Sequence, residues 1–514
     1  MQFVAVISYH FAWDGLRKYP GPLLARYSDA YLGWNAVKRR VHVITYLNHQ
    51  KYGPVVRLGP KRLSFNTITA LKDIYLNPNV TKARTYVGSR MNNKASLFNF
   101  IDKNEHRKSR KMVGSALSDM SLRKFEPTMM QQIDIFLERL LQSCKDGPSQ
   151  VVDMTPCCQR LGVDIVGHLA FGYALNTQAE TTHRFIPEAM NGLSARLNLL
   201  MTWPSLRKLD GGVQWLFKKR VERFRGVLRH MIDTRMAMPR NAKHDLYFFA
   251  AGDGSTNTEE EDDLRNTQIW AEGGIFFTAG GSTTATAIAA CLFYLSRNPS
   301  IYSTLASEIR SAFESGRDIR NGPKLAACKY LRAVIDETLR MSPPIPGPMW
   351  REQDMTAARK ESLVVDGHVI PPGTSVGVGL YSIMHNPEYF PEPFQFRPDR
   401  WLESDHEETT SETEARSIMR RAFVPFAMGE RNCVGKAMAY LEASLTLAKT
   451  IWYFDFEKAQ GETGDLGGGT VGGEAGRTVV EEFQLFDVFT VDHSGPSLRF
   501  KARGNLWQDF IAST

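Results

Sequence analysis

The sequence predicts a mainly α fold with a smaller β portion, and three observations carry that reading. Between about residues 104 and 300, apolar residues recur at helical spacing, with long amphipathic runs such as Pro127 to Ser143 and Leu216 to Met236. Two short stretches of alternating and β-branched residues, bounded by Gly and Pro, read instead as strands. Across 514 residues, 43% hydrophobic and 23% charged is a globular composition with ample apolar material for a large core. Length alone allows about three domains. No linker divides the chain, so the expected organisation is a short apolar segment and Pro-Gly hinge over residues 1–22, then a single domain over 23–514.

Met1 to Phe11 is apolar but shorter than the roughly 20 residues that span a bilayer, and it lacks the basic start and cleavage site of a secretory signal. It suits either a membrane interface or a buried N-terminal strand. Tyr19-Pro20-Gly21-Pro22 is a rigid breaker. Val55 to Pro60 and Arg62 to Phe65 predict two strands joined by a turn. Asn241 to Asp263 reads as a polar surface loop, followed by a strongly apolar helix from about Thr267 to Ser296, stopped at Asn298-Pro299. Leu363 to Thr374 predicts a second β region, with Asp366-Gly367 as a hairpin turn. Ser404 to Glu414 and Gly461 to Gly476 read as flexible surface loops.

The net charge of +8 is modest for this length. Arg17-Lys18, Lys38-Arg39-Arg40 and Arg107 to Lys111 read first as solvated faces, and no block of basic residues suits a nucleic-acid partner. Cys144, Cys157, Cys158, Cys291, Cys328 and Cys433 include no C-x-x-C pair, which speaks against a zinc site or disulfide framework and for a reducing compartment.

Cys433 has the most unusual setting. It lies in Phe426-Ala427-Met428-Gly429-Glu430-Arg431-Asn432-Cys433-Val434-Gly435, just before a helical run from Lys436 to about Tyr453. A position at a helix start favours a thiolate through the positive dipole end and free N–H groups. Gly429 and Gly435 would let backbone approach a flat cofactor closely, Arg431 could pair with a carboxylate, and Phe426 could shield the sulfur from water. The bland alternative is a buried, inert cysteine in a Gly-containing loop.

Position by position, this segment resembles the F-x-x-G-x-R-x-C-x-G signature of the cytochrome P450 family, and three further segments resemble family elements in the right order. Glu337-Thr338-Leu339-Arg340 resembles E-x-x-R, whose ends share a helix face. Phe396 to Trp401 resembles the next element, with Arg400 expected to complete a Glu337–Arg340–Arg400 brace. Ala279-Gly280-Gly281-Ser282-Thr283-Thr284 resembles A-G-x-[D/E]-T-[T/S]. Interior glycines cost about 0.5–1 kcal/mol each, and a local opening of the helical ladder, making room for oxygen and water, would explain them.

The resemblance runs from about Leu16 to His493 and implies the cytochrome P450 fold, a haem b (iron protoporphyrin IX) and Cys433 as its metal ligand. Phe426, Arg431, Gly435, His106, Arg110 and Arg351 are the further cofactor-binding candidates, with His106 and Arg110 on one helical face. Thr283 falls on the family's proton-delivering threonine. Ser282 stands where an acid is usual and supplies no carboxylate for relay.

The implied reaction is a monooxygenation, hydroxylating or epoxidising an apolar small molecule with dioxygen. Electrons would come from an NADPH-cytochrome P450 reductase, because no Rossmann or flavin fingerprint is present. Arg107, Lys108, Lys111 and Lys436 would be its docking charges. Resemblance to filamentous-fungal microsomal members implies secondary-metabolite biosynthesis and the cytosolic face of the endoplasmic reticulum membrane. Ser282 keeps open a haem-thiolate isomerase, dehydratase or peroxide-using enzyme, and a non-enzymatic haem sensor is the remaining alternative.

Overall fold

The computed structural model describes residues 14–90, 94–145, 150–250, 259–356, 361–403 and 409–511. The apolar start at Met1 to Phe11 lies outside these residues. Pro22 heads the first short helix, α1 (Leu23–Tyr27), followed by α2 (Ala30–Val37) and α3 (Val41–Tyr52). The hinge is pinned to the fold: Arg57 N–H bonds Pro20 O at 2.8 Å, and a Cβ at Gly21 would lie 2.3 Å from Arg57 O.

The two expected strands are present as β1 (Val55–Gly59) and β2 (Arg62–Phe65), antiparallel and buried throughout. Helix α4 (Ile68–Tyr75) and strand β3 (Val80–Lys82) follow. Farther along come a two-residue strand, β4 (Val152–Asp153), then β5 (Arg351–Gln353), β6 (Leu363–Val365), β7 (His368–Ile370) and β8 (Ser375–Val378). The main sheet has the order β1-β2-β8-β5-β3, with β2 and β8 parallel and the other neighbours antiparallel. In that sheet Lys82 is the register partner of Arg351. The β6–β7 hairpin turns at Asp366 (φ 50°) and Gly367 (φ 74°), the left-handed pair that an Asp-Gly turn supplies.

The helical body comprises α5 (Lys103–Ala116), α6 (Asp119–Lys145), α7 (Met154–Phe171), α8 (Ile186–Thr202), α9 (Asp210–Met236), α10 (Glu259–Arg297), α11 (Lys329–Met341), α12 (Thr410–Ala422) and α13 (Lys436–Tyr453). Side chains cap their starts where the sequence allows: Asp102 accepts Glu105 N–H at 2.8 Å ahead of α5, and Asp153 accepts Thr155 N–H at 2.9 Å ahead of α7. Behind α13 lie β9 (Phe454–Lys458), the hairpin β10 (Phe486–Val488) and β11 (Thr490–Asp492), and β12 (Ser497–Ala502), which pairs with both β4 and β9.

Helix α10 is the axis of the core, and residues Ala285 to Leu295 along it are buried. By length and composition, Ile269–Arg297 is apolar enough to cross a bilayer, but that hydropathy is spent on protein contacts. The local opening expected at Gly280-Gly281 is corrected: α10 is a continuous α-helix from 259 to 297. Its glycines have a packing reason. A Cβ at Gly273 would meet the Phe171 ring at 2.4 Å, and one at Gly280 would meet Val166 Cγ2 at 2.9 Å. From the other side, a Cβ at Gly162 would lie 2.4 Å from Gly281 O, so α7 and α10 approach closely enough to require glycine on both.

Three loop expectations are also corrected. Residues 409–414 open α12, with a capping box in which Thr409 and Glu412 satisfy each other's backbone; residues 404–408 lie outside the described set. In the stretch 241–263, Leu246–Ala250 is helical with Leu246 buried, residues 251–258 lie outside the described set, and Glu259 to Asp263 belong to α10. Gly461 to Gly476 is a mainly exposed surface loop as expected, corrected only in that it contains a helical turn, Gly461–Asp465, and is tied by Gly469 N–H to Val479 O (3.1 Å) and Thr470 N–H to Arg477 O (2.9 Å). Glycine-rich composition therefore marked close backbone approach here.

Candidate functional site

The cysteine loop is held by its own backbone. Cys433 N–H bonds Phe426 O at 2.9 Å, Ala427 N–H bonds Val424 O at 2.9 Å, and Asn432 N–H bonds Gly429 O at 3.1 Å. Gly429 adopts φ 73° and presses so hard on the α4 end that a Cβ would sit 2.0 Å from Tyr75 O. Gly435 is the N-cap of α13 with an ordinary φ of −87°, and a Cβ there would lie 3.8 Å from Cys433 Sγ, so the protein alone leaves room for one.

Of the six free cysteines, only Cys433 is exposed. Burial nevertheless raises its thiol pKa, opposed by the Gly435 N–H, Arg110 and Lys436. The sulfur is thus set within the protein while facing accessible space, unlike Cys158 and Cys291, which are sealed in the core. Phe426 packs its ring 5.1 Å from Tyr440, with Lys436 Nζ 5.8 Å from its centroid.

Beside this loop the structure assembles the expected basic residues. Arg110 on α5 donates to Asn432 O at 2.7 Å and to Asn432 Oδ1, tying α5 to the residue before the cysteine. Arg431 donates to Phe100 O at 2.6 Å and Ile101 O at 3.0 Å; burial and then Arg351 bring its pKa down to about 10. Arg351 on β5 donates to Trp350 O at 3.0 Å, while its buried Nη2 has no hydrogen-bond partner. His106 is buried among these groups, and burial followed by Arg431, Lys82, Arg110 and Arg351 lowers its pKa to about 3, holding the imidazole neutral. Sequence reasoning missed Lys82, which nothing in Val80-Thr81-Lys82 distinguishes from an edge-strand lysine; only the β3–β5 register carries it to Arg351.

The expected brace is present. Arg340 holds Glu337 with two hydrogen bonds of 2.9 Å, Arg400 Nε adds one at 3.1 Å, and all three side chains are buried. Trp401 Nε1 (3.0 Å) and the Arg397 N–H (3.0 Å) complete the shell of Glu337.

On α10 the hydroxyls turn back on their own helix. Ser282 Oγ donates to Thr278 O at 3.0 Å and Thr283 Oγ1 to Ala279 O at 2.7 Å. Ser282 is buried, whereas Ala279 is exposed and Thr283 half-buried, so one face of this core helix opens onto accessible space. Among the described residues, no hydrogen bond joins Ser282 or Thr283 to the cysteine loop. A separate cleft brings together the end of α8 (Asn198, Met201, Thr202), the stretch Ile345 to Trp350, and the β10–β11 hairpin through Asp487 and Phe489. Nothing in the sequence brings the hairpin to the other two segments, which lie far from it in the chain. Phe489 sits at its turn with φ 89°, its ring 5.1 Å from Phe98.

Comparison with known proteins gives the same direction. The chain is 33% identical over 506 residues to cytochrome P450 monooxygenase AKT7 of Alternaria alternata, covering 97% of this chain and 95% of the relative. It is 33% identical over 500 residues to cytochrome P450 monooxygenase atnE of Emericella nidulans (95% and 92% covered), and 32% identical over 531 residues to cytochrome P450 monooxygenase apf7 of Gibberella fujikuroi (97% and 96% covered). The family model described as Cytochrome P450 matches residues 29–466, which takes in the cysteine loop, the Glu337 brace and the hydroxyl-bearing face of α10. With a matching loop, brace and helix inside a matching sequence, the chain belongs to the cytochrome P450 family, the haem-thiolate monooxygenases.

Proposed function

We propose that Cys433 is the thiolate ligand of a haem b, and that the chain hydroxylates or epoxidises an apolar small molecule in a fungal secondary-metabolite pathway, as a single catalytic domain over residues 23–514. The observation that carries this reading is the pairing of an accessible thiol, facing Arg110 and Lys436, with a buried to half-buried excess of cations next to it. Buried cations without anions are costly. Two carboxylates brought between Arg110, Arg431 and Arg351 would offset that cost, and the unpartnered Arg351 Nη2 is a ready donor. The residues therefore fit a haem, with His106 as a neutral neighbour of the same group and Phe426 and Gly435 bordering the sulfur.

A thiolate-ligated haem supplies reductive activation of dioxygen, the thiolate pushing electron density that favours O–O cleavage. The chain's own work is positioning and proton handling. Thr283 Oγ1 has spent its proton on Ala279 O and keeps acceptor capacity for an ordered water. Ser282 adds no carboxylate, so proton delivery on this side runs through Thr283 and water.

Monooxygenases of this family draw electrons from a reductase. Exposed Arg107, Lys108, Lys111 and Lys436 support docking of an NADPH-cytochrome P450 reductase near the cysteine loop. Location at the cytosolic face of the endoplasmic reticulum is supported by Leu23, Leu24, Trp34 and Val37, apolar side chains of α1 and α2 that are each more than half exposed and lie near Lys18 and Lys38.

A carbon monoxide difference spectrum of the reduced protein tests the central assignment. The wild type is expected to show the red-shifted thiolate–iron–CO band and Cys433→Ala to lose it. A wild type without that band overturns the assignment.

A further inference from the structure

We propose that Lys82 is an additional anchor for a haem carboxylate, acting together with Arg351 across the β3–β5 strand pair. The inference rests on the reading that the chain binds haem at Cys433, and it concerns a residue that none of the family-like motifs contains.

Lys82 is 6% exposed, at the end of a three-residue strand. Its antiparallel partner in register is Arg351, so two cationic side chains occupy one cross-strand pair, an arrangement that is unfavourable unless an anion lies between them. The ammonium donates to Phe98 O and stands 4.9 Å and 5.2 Å from the ring centroids of Phe98 and Tyr86. Among the described residues it makes no salt bridge. Burial holds its pKa well below the ordinary lysine value; Arg351, Arg431 and Arg110 push the same way, and Glu272 opposes them.

Glu272 does not settle this account. Its carboxylate already accepts the Leu97 N–H at 2.9 and 3.0 Å and Ser109 Oγ at 2.6 Å. Glu272 acts on Lys82, while the carboxylates that act on Arg110 and Arg431, Glu430 and Asp102, are exposed, so a buried anion placed among the cations is what the site lacks. A lysine presents three donors on a flexible stem. One is used on Phe98 O, which leaves two for carboxylate oxygens.

The test compares wild type, Lys82→Met and Lys82→Arg as haem-loaded proteins. Haem loss is followed by transfer to apomyoglobin, and the propionate bending bands by resonance Raman. Lys82→Met is expected to keep the thiolate–iron–CO band, to lose haem about tenfold faster, and to shift a propionate band; Lys82→Arg restores most of both.

Repeating the comparison with haem dimethyl ester separates anchoring from a merely structural role. Esterification masks the carboxylates, so Lys82→Met should add nothing further to the rate of ester loss. Equal loss of ordinary haem from wild type and Lys82→Met with unchanged propionate bands overturns the proposal, as does an undiminished effect of the substitution on ester haem. If Lys82→Met does not fold, Lys82→Gln, which keeps the length of the side chain without its charge, takes its place: a haem-loss rate and propionate spectrum equal to those of wild type overturn the proposal. A wild type lacking the thiolate band would instead overturn the underlying haem assignment, a separate outcome.

Discussion

The cluster around Glu337 and the cluster around His106 both gather basic side chains in or at the edge of the core, yet they are finished in opposite ways. Glu337 accepts five hydrogen bonds, from Arg340 (two), Arg400, Trp401 and the Arg397 N–H, and its carboxylate is surrounded by protein donors on every side. The His106 cluster gathers Lys82, Arg110, Arg351 and Arg431, and among the described residues none of these four cations forms a salt bridge; each cluster leaves one guanidinium nitrogen without a hydrogen-bond partner, Arg351 Nη2 here and Arg400 Nη2 beside Glu337, so the two differ in having or lacking a bound carboxylate. A closed cluster stores its energy in the fold. An open one reserves that energy for a ligand, because its desolvation cost is offset only when the anion arrives.

The largest expected effect falls on the closed cluster. Glu337→Gln leaves two buried arginines short of a counter-charge and should destabilise the protein by about 3–5 kcal/mol. Thermal denaturation of the purified variant, or its recovery in inclusion bodies, reads this out. A variant as stable as wild type would break the distinction between the two clusters.

Removing the hydroxyl of Thr283 tests the oxygen side without touching either cluster. Thr283→Ala is expected to lower product formed per NADPH consumed by about a hundredfold, with an unchanged carbon monoxide spectrum. Ser282→Ala should change coupling little, since its hydroxyl is occupied by Thr278 O.

Gly162→Ala probes the α7–α10 contact. A methyl there meets Gly281 O at 2.4 Å, so about 1–3 kcal/mol of stability should be lost, measured by denaturant titration, while haem ligation is retained. Loss of the thiolate band from otherwise folded Gly162→Ala would return the α10 glycines to an oxygen-side role.

The smallest expected effect is on the open cluster itself. Arg431→Met removes one of four cations that already repel one another, so the fold should hold. Haem retention should fall about tenfold, seen as faster transfer to apomyoglobin. A drop in stability comparable to that of Glu337→Gln would mean that both clusters are structural.

The α10 glycines show where motif reading and physical reasoning part. The segment Ala279 to Thr284 was recognisable by residue type, yet the reason offered for Gly280 and Gly281, an opened ladder, does not hold. A sequence shows that a glycine is present but does not show which neighbour excludes a Cβ. That neighbour is Val166 on α7, more than a hundred positions away. The α12 start misled in a different way. Thr409 and Glu412 form a capping box that was legible in Thr409 to Glu412, but the acidic composition around it favoured a loop reading.

Much of the proximal arrangement was decided locally. Cys433 lies two residues before the N-cap of a helix, Gly429 can take φ 73°, and Glu337 and Arg340 share a helix face, because short-range geometry follows from residue type and spacing. The sequence by itself therefore determined the mainly α class, the strand pairs, the cysteine loop and the partners three residues apart. Tertiary structure alone decided that Lys82 faces Arg351, that Phe489 borders the cleft beside Met349, and that α7 lies close enough to α10 to exclude side chains. Those contacts join positions far apart in the chain. They depend on sheet register and helix packing, which are set by the burial of the whole core and not by any one segment.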